Sequence, residues 1–304
     1  MRRLFAVLAA IVTITLATAG CAASSTDPEP TGTQAGYPVT VGDVTLDRQP
    51  QRIVSLSPTL TEILFAIGAG PQVVAVDEYS TYPENAPRTG LSGYTPNAEA
   101  VVAYSPDLVV LDTDTNGVVS SLRALDIPVY VGPAASTVED TYRQIAELGT
   151  LTGHPVEALE LVNRIKDDLF KILTDLPERE EPLTYFYELD NTYYTVTSQT
   201  FIGTLFTAAG LVNIADEGNL DNPYPQLSEE RIFAANPDLI FLADAYPGGE
   251  TPETVAARPG WADLTAVRTG AIVALDPDVA SRWGPRIVDL QRAIVDAVTA
   301  LPTS

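Results

Sequence analysis

One cysteine and one histidine occur in 304 residues, and each scarcity removes a class of chemistry. The cysteine, Cys21, stands inside an N-terminal leader, so the rest of the chain has no thiol and no disulfide, and its stability must come from a hydrophobic core. With His154 as the lone imidazole, histidine-based zinc sites and cysteine–histidine catalysis are excluded, and bare metal ions lack their usual ligand set. Positive charge is also scarce: 17 Lys and Arg stand against 40 Asp and Glu, a formal net charge of −23. Such a field repels phosphate backbones and anionic headgroups, which argues against nucleic acid as a partner. It draws in a cationic or metal-bearing solute, though it equally serves solubility. No GxGxxG follows the first strand, and neither a GxxxxGK[ST] loop nor a GxSxG elbow is present. Among enzymes only a carboxylate pair of glycosidase type stays open, and the chain is expected not to be an enzyme and to carry no cofactor.

What is present begins with Met1-Arg2-Arg3, an apolar run and a small-residue exit at Ala19-Gly20, the layout of an export signal over residues 1–20. Cys21 follows directly, and the junction resembles the bacterial lipobox, with Thr18 where leucine is usual. Lipidation of Cys21 would place the protein outside the cell membrane on acyl chains. Ordinary secretion with cleavage nearby and a retained membrane helix are the alternatives. Residues 21–45 read as a flexible tether rich in Pro, Gly, Ser and Thr.

From Arg52 onward the chain alternates strand-like and helix-like runs. RIVSL (52–56), VVAVD (73–77), DLVVL (107–111) and LDIPVYVG (125–132) are strands; SPTLTEILFAIGAG (57–70) and NAEAVVAYSP (97–106) are helices. The pattern then returns. SQTFIGTLFTAAG (198–210) echoes the first helix, and SEERIFAANPDLIFL (228–242) echoes NAEAVVAYSPDLVVL, with Asp107 and Asp238 offset by 131. Ordered recurrence predicts two α/β lobes of like topology, over 46–150 and 178–304. Between them, residues 151–177 carry Val156, Leu159, Val162, Ile165, Leu169 and Leu173 at helical spacing, so one long helix is predicted to join the lobes and limit their closure.

The runs just quoted, with EYSTYPENAP (78–87), NPYPQLSEERIF (222–233) and GPRIVDLQRAI (284–294), together resemble the ABC-importer solute-binding proteins that take up ferric siderophores and vitamin B12. The resemblance covers residue 50 to about 298. It implies two Rossmann-like lobes on a backbone helix, a shallow cleft, a monomer, and an ABC permease with its ATPase as partners. It further implies that Glu99 and Glu230, each in the first turn of an echoed helix, dock in arginine pockets of the permease, with Glu229 the near alternative.

Ligands of parallel α/β sheets sit at the loops beyond the strand ends. In the first half those loops offer Tyr79, Tyr82 and Tyr94; in the second, Tyr187, Tyr193, Tyr194, Tyr224 and Tyr246, then Arg282, Trp283 and Arg286. Tyrosine faces suit a large amphipathic solute, and arginines suit chelate oxygens. Corrinoid receptors of the family carry several cleft tryptophans, whereas Trp261 and Trp283 are the only two here. A ferric siderophore is therefore the expected solute, vitamin B12 the alternative and heme a third. His154, on the connecting helix, is expected to be a surface or cap residue. An adhesive, non-transport lipoprotein is the competing reading.

Overall fold

In the computed structural model, which describes residues 36–218 and 221–303, the two sets of apolar runs become two parallel sheets. A short hairpin, β1 (Val39–Val41) and β2 (Val44–Leu46), precedes the first lobe. That lobe is built from β3 (Ile53–Ser55), α1 (Pro58–Ala66), β4 (Val73–Asp77), β5 (Arg88–Leu91) and α2 (Ala98–Val102). It is completed by β6 (Leu108–Leu111), α3 (Val118–Arg123) and β7 (Val129–Val131). Two helices follow, α4 (Val138–Thr152) and α5 (Pro155–Thr174). The second lobe opens with β8 (Thr184–Glu188), α6 (Phe201–Ala208), β9 (Val212–Asn213), α7 (Glu229–Ala235) and β10 (Leu239–Leu242). It closes with α8 (Pro252–Ala256), α9 (Thr265–Thr269), β11 (Ile272–Ala274), α10 (Pro277–Ala280) and α11 (Ile287–Ala300).

The first sheet has the order β5-β4-β3-β6-β7 and the second β11-β10-β8-β9, every pair parallel. Strand order reverses between β3 and β6 and between β8 and β10, so each lobe has its crevice above the carboxyl ends of those central strands. Successive side chains of a strand point to opposite faces, and both faces here are apolar. Leu108, Val110, Tyr185, Tyr187, Leu239 and Phe241 belong to one core shared by both lobes. Their neighbours Val109 and Leu111 face a second core under α2 and α3, and Phe186, Ile240 and Leu242 a third around Trp261.

The repeat is physical. The Asp107 carboxylate accepts hydrogen bonds from the backbone amides of Gln51 and Arg52 at 2.9 and 2.8 Å, fixing the start of β3 beside β6. Its echo Asp238 accepts from the amide and hydroxyl of Thr184, both at 2.8 Å, at the start of β8 beside β10. In each half a carboxylate satisfies donors that strand pairing leaves over.

The link between lobes is a helical hairpin that ends in the long helix. Gly149 of α4 faces Ala158 of α5 so closely that any side chain there would collide with it. The buried face of α5 is Ala158, Leu161, Val162, Ile165 and Ile172, packed on α4 and on α11 of the second lobe. Val156 and Leu159, expected on that face, are exposed, because α4 and α11 together meet a stripe rotated from the one the spacing of large residues suggests. His154 is the N-cap residue of α5, its Nδ1 3.9 Å from Glu157. Among the described residues no helix is long and apolar enough to cross a membrane.

Candidate functional site

The carboxyl ends of the two sheets are joined across the lobes by a knot of charge. Glu62, in the second turn of α1 just beyond β3, is buried. Its Oε1 accepts from Arg282 at 2.7 Å and from Arg286 at 2.6 Å, and its Oε2 accepts from Arg286 Nε at 3.0 Å. Arg282 also donates to the Tyr79 carbonyl at 3.0 Å and pairs with Asp278 at 2.7 Å. Thr81 donates to Asp278 at 2.6 Å, again from one lobe to the other. The guanidinium of Arg286 lies 4.5 Å over the ring of Tyr82, and its hydrogen bonds to Glu62 hold it above the usual guanidinium range.

This geometry corrects the role expected of the arginines. Arg282 and Arg286 spend their donors on a carboxylate of the protein itself, since a buried charge needs a partner before it can serve a ligand. Trp283, between them, donates from its indole to Gln144 at 3.0 Å, while its carbonyl accepts from Thr141, both on α4. The sequence reading missed Glu62, whose signal was a single charged residue inside an otherwise apolar helix.

The tyrosines separate into two groups. Tyr79, Tyr82, Tyr94, Tyr194, Tyr224 and Tyr246 are well exposed, with Tyr94 at 73%. Tyr79 and Tyr94 meet edge to face, centroids 5.3 Å apart, at the carboxyl end of the first sheet. Tyr187 departs from expectation: it lies within β8, is 0% exposed, and donates its hydroxyl to the Ala280 carbonyl at 3.0 Å. Its ring packs at right angles to Phe206, 5.6 Å away, so it is core and offers a ligand nothing. Tyr193 is half-buried, hydrogen-bonded to Glu229 at 2.8 Å, and its hydroxyl is pushed up to about 12, by burial first and then by that carboxylate.

A second knot lies at the end of β8, where Glu188 takes both amino groups of Arg258 at 2.6 and 2.7 Å and Glu250 adds a contact at 3.1 Å. Burial opposes the charge of Arg258, but the two carboxylates outweigh it and hold the guanidinium ionised. In the first lobe a cavity of about 160 Å³ opens above β3, β4 and β6, lined among others by Asp77, Tyr79, Tyr94 and Asp112.

Glu99 and Glu230 both stand exposed in the first turns of α2 and α7, beside N-caps made by Asn97 and Ser228. Glu229 instead turns inward, accepting from Tyr193 and from the Trp261 indole at 3.2 Å. Cys21 lies outside the described residues.

A family model described as periplasmic binding protein matches residues 53–279, which takes in both parallel sheets, the linking helices, Glu62 and the whole Glu188–Arg258–Glu250 knot. The chain belongs to that family. A cobalamin-binding protein of Halobacterium salinarum is 32% identical over 86% of this chain and 74% of its own length. The substrate-binding lipoprotein YvrC of an ABC transporter in Bacillus subtilis is 28% identical over 98% of both chains. Among solved structures, the vitamin B12 binding protein BtuF of Vibrio cholerae gives a TM-score of 0.68 at 27% identity, covering 82% of this chain and 97% of that one. A possible iron-binding periplasmic protein of Staphylococcus epidermidis gives 0.72 at 26% identity, covering 83% and 99%. This chain is therefore a solute-binding component of an ABC importer, a transport part and not an enzyme.

Proposed function

We propose that the solute is a corrinoid of the cobalamin type, captured between the lobes and handed to the permease without chemical change. The observation that carries this reading is the state of the arginines. Arg258, Arg282 and Arg286, at the carboxyl ends of the sheets, are each held by buried carboxylates of the protein, while Asp77, Asp112 and Asp244 add negative charge there. With these three guanidinium groups engaged, the oxyanions of catecholate or citrate chelates lose their natural partners among the described residues. The cleft suits a neutral, flat, amide-bearing solute covered by tyrosine faces. The names of several relatives, among them a vitamin B12-binding protein of Vibrio cholerae at 30% identity over 79% of this chain, support the same choice. The siderophore preference drawn from the tryptophan count is thereby reversed, since exposed tyrosines supply the flat surface tryptophan would.

Glu99 and Glu230 are the docking residues of this reading, because both are exposed at matched helix starts while Glu229 is engaged inside its lobe. A lipid on Cys21 would hold the protein beside its permease. Calorimetric titration of the exported domain with cyanocobalamin, ferric hydroxamate, ferric catecholate and heme tests the solute. Saturable binding of cyanocobalamin at micromolar or lower concentration is expected; binding of an iron chelate or heme in its place overturns the reading.

A further inference from the structure

The cavity above β3, β4 and β6 contains a feature that the solute's bulk does not explain. Asp77, the last residue of β4, is 1% exposed, and its Oδ1 is buried without a hydrogen-bond partner. Leaving a carboxylate oxygen in that state costs free energy that a well-packed core avoids. The other oxygen, Oδ2, faces position 93. Position 93 is glycine, and a Cβ there would strike the Leu56 carbonyl and come within 2.8 Å of Asp77 Oδ2. Asp112, just past β6, lines the same space and repels the charge on Asp77, and the Thr113 and Thr115 residues complete the polar side. Tyr79 and Tyr94 form the aromatic side. Ser80 hydrogen-bonds the Asp77 carboxyl, and Arg282, whose charge also acts on it, is already paired with Glu62 and Asp278.

We propose that this cavity is a subsite for one N–H-bearing group of the solute, a primary amide, with Asp77 as hydrogen-bond acceptor. Its 160 Å³ is room enough for an acetamide or propionamide arm. Two carboxylates exclude an acid from the same place, and an amide N–H bonded to an ionised acceptor makes one of the stronger hydrogen bonds available. The assignment extends the corrinoid reading, since a corrin ring carries a fringe of such amides, but its test does not depend on it.

Backbone amide NMR of the exported domain, titrated with acetamide, N,N-dimethylacetamide and acetate, decides the subsite. Acetamide should shift the Gly93 and Thr115 signals saturably, and the other two probes should not. Asp77→Asn should weaken the response, and Asp112→Asn, at a part-exposed position, guards against a folding defect in the first variant. Equal responses to acetamide and N,N-dimethylacetamide, or an acetamide response unchanged by Asp77→Asn, overturn the proposal. Corrinoids then connect the subsite to the solute. Cyanocobalamin with one propionamide hydrolysed to the acid should bind roughly tenfold to a hundredfold more weakly for at least one arm. That penalty should shrink in Asp77→Asn; if it does not, the subsite does not serve the corrinoid. Failure of cyanocobalamin itself to bind, with the acetamide response intact, overturns the corrinoid reading and leaves the amide subsite standing.

Discussion

Glu62, on the helix that follows β3, and Glu188, the last residue of β8, are both buried carboxylates gripped by arginine, yet their knots differ in span. Glu188, Arg258 and Glu250 all belong to the second lobe, so that knot fixes one crevice wall. Glu62 belongs to the first lobe and its arginines to the second, so this knot sets one lobe against the other. The same guanidinium–carboxylate chemistry thus acts locally in one case and as an inter-lobe clamp in the other. Topology decides which, because the segment after β11 carries Asp278, Arg282 and Arg286 back to the first lobe. The clamp and the shared core beneath it argue for small closure around ligand, as a single helical link also implies.

The most damaging way to break this contrast is Glu62→Ala, which takes the shared carboxylate from the buried Arg282 and the part-buried Arg286. A loss of about 3–5 kcal/mol is expected by chemical denaturation. If the knot clamps the lobes, small-angle scattering of the surviving folded fraction should also show a wider distribution of shapes. Arg258→Met leaves Glu188 buried without its main partner, with a loss of about 3 kcal/mol, and the scattering profile should stay that of the parent. Matching changes in shape for both variants would remove the distinction.

Thr81→Ala deletes the exposed inter-lobe hydrogen bond to Asp278 and a long one, 3.4 Å, from Arg282, and about 0.5–1 kcal/mol is expected from thermal unfolding. Asp77→Asn should act in the opposite direction and only at the right pH. Burial holds the Asp77 carboxyl above its ordinary range, so the folded chain binds that proton more tightly than the unfolded chain does. The stability this group allows is complete below the unfolded carboxylate range and falls as pH rises through the raised value. The variant should therefore match the parent in acid and exceed it at neutral pH, read from paired denaturant curves across that range. Smallest in stability are Glu99→Ala and Glu230→Ala, which should leave the melting temperature and solute affinity unchanged while abolishing stimulation of the reconstituted transporter's ATPase. Retained stimulation in both would remove these residues from docking.

Much of the first lobe could be read from pattern because its strands are short apolar runs bounded by Pro, Gly and Asp. VVAVD at 73–77 is β4 with the same bounds, and the Pro-Asp echo marks the start of β6 and β10. The second lobe was less legible. TYFYE reads as aromatic loop material as easily as strand, so Tyr187 was placed among cleft residues although it is interior to β8. Periodicity on α5 marked a helix correctly but not its buried face, since two partners on different sides choose the stripe.

Sequence alone determined the two-lobed α/β repeat, the helical link and the placing of most tyrosines in loops. These depend on local periodicity, turn chemistry and residue inventory, which the chain carries without needing its neighbours. Tertiary structure decided that Arg282 and Arg286 belong to Glu62, that Tyr187 is core, that Glu229 faces inward while Glu230 faces out, and that Asp77 is buried without a partner for one oxygen. Each concerns who meets whom across 36 to 224 residues of chain, and charge pairing and desolvation are set by that meeting and by nothing local.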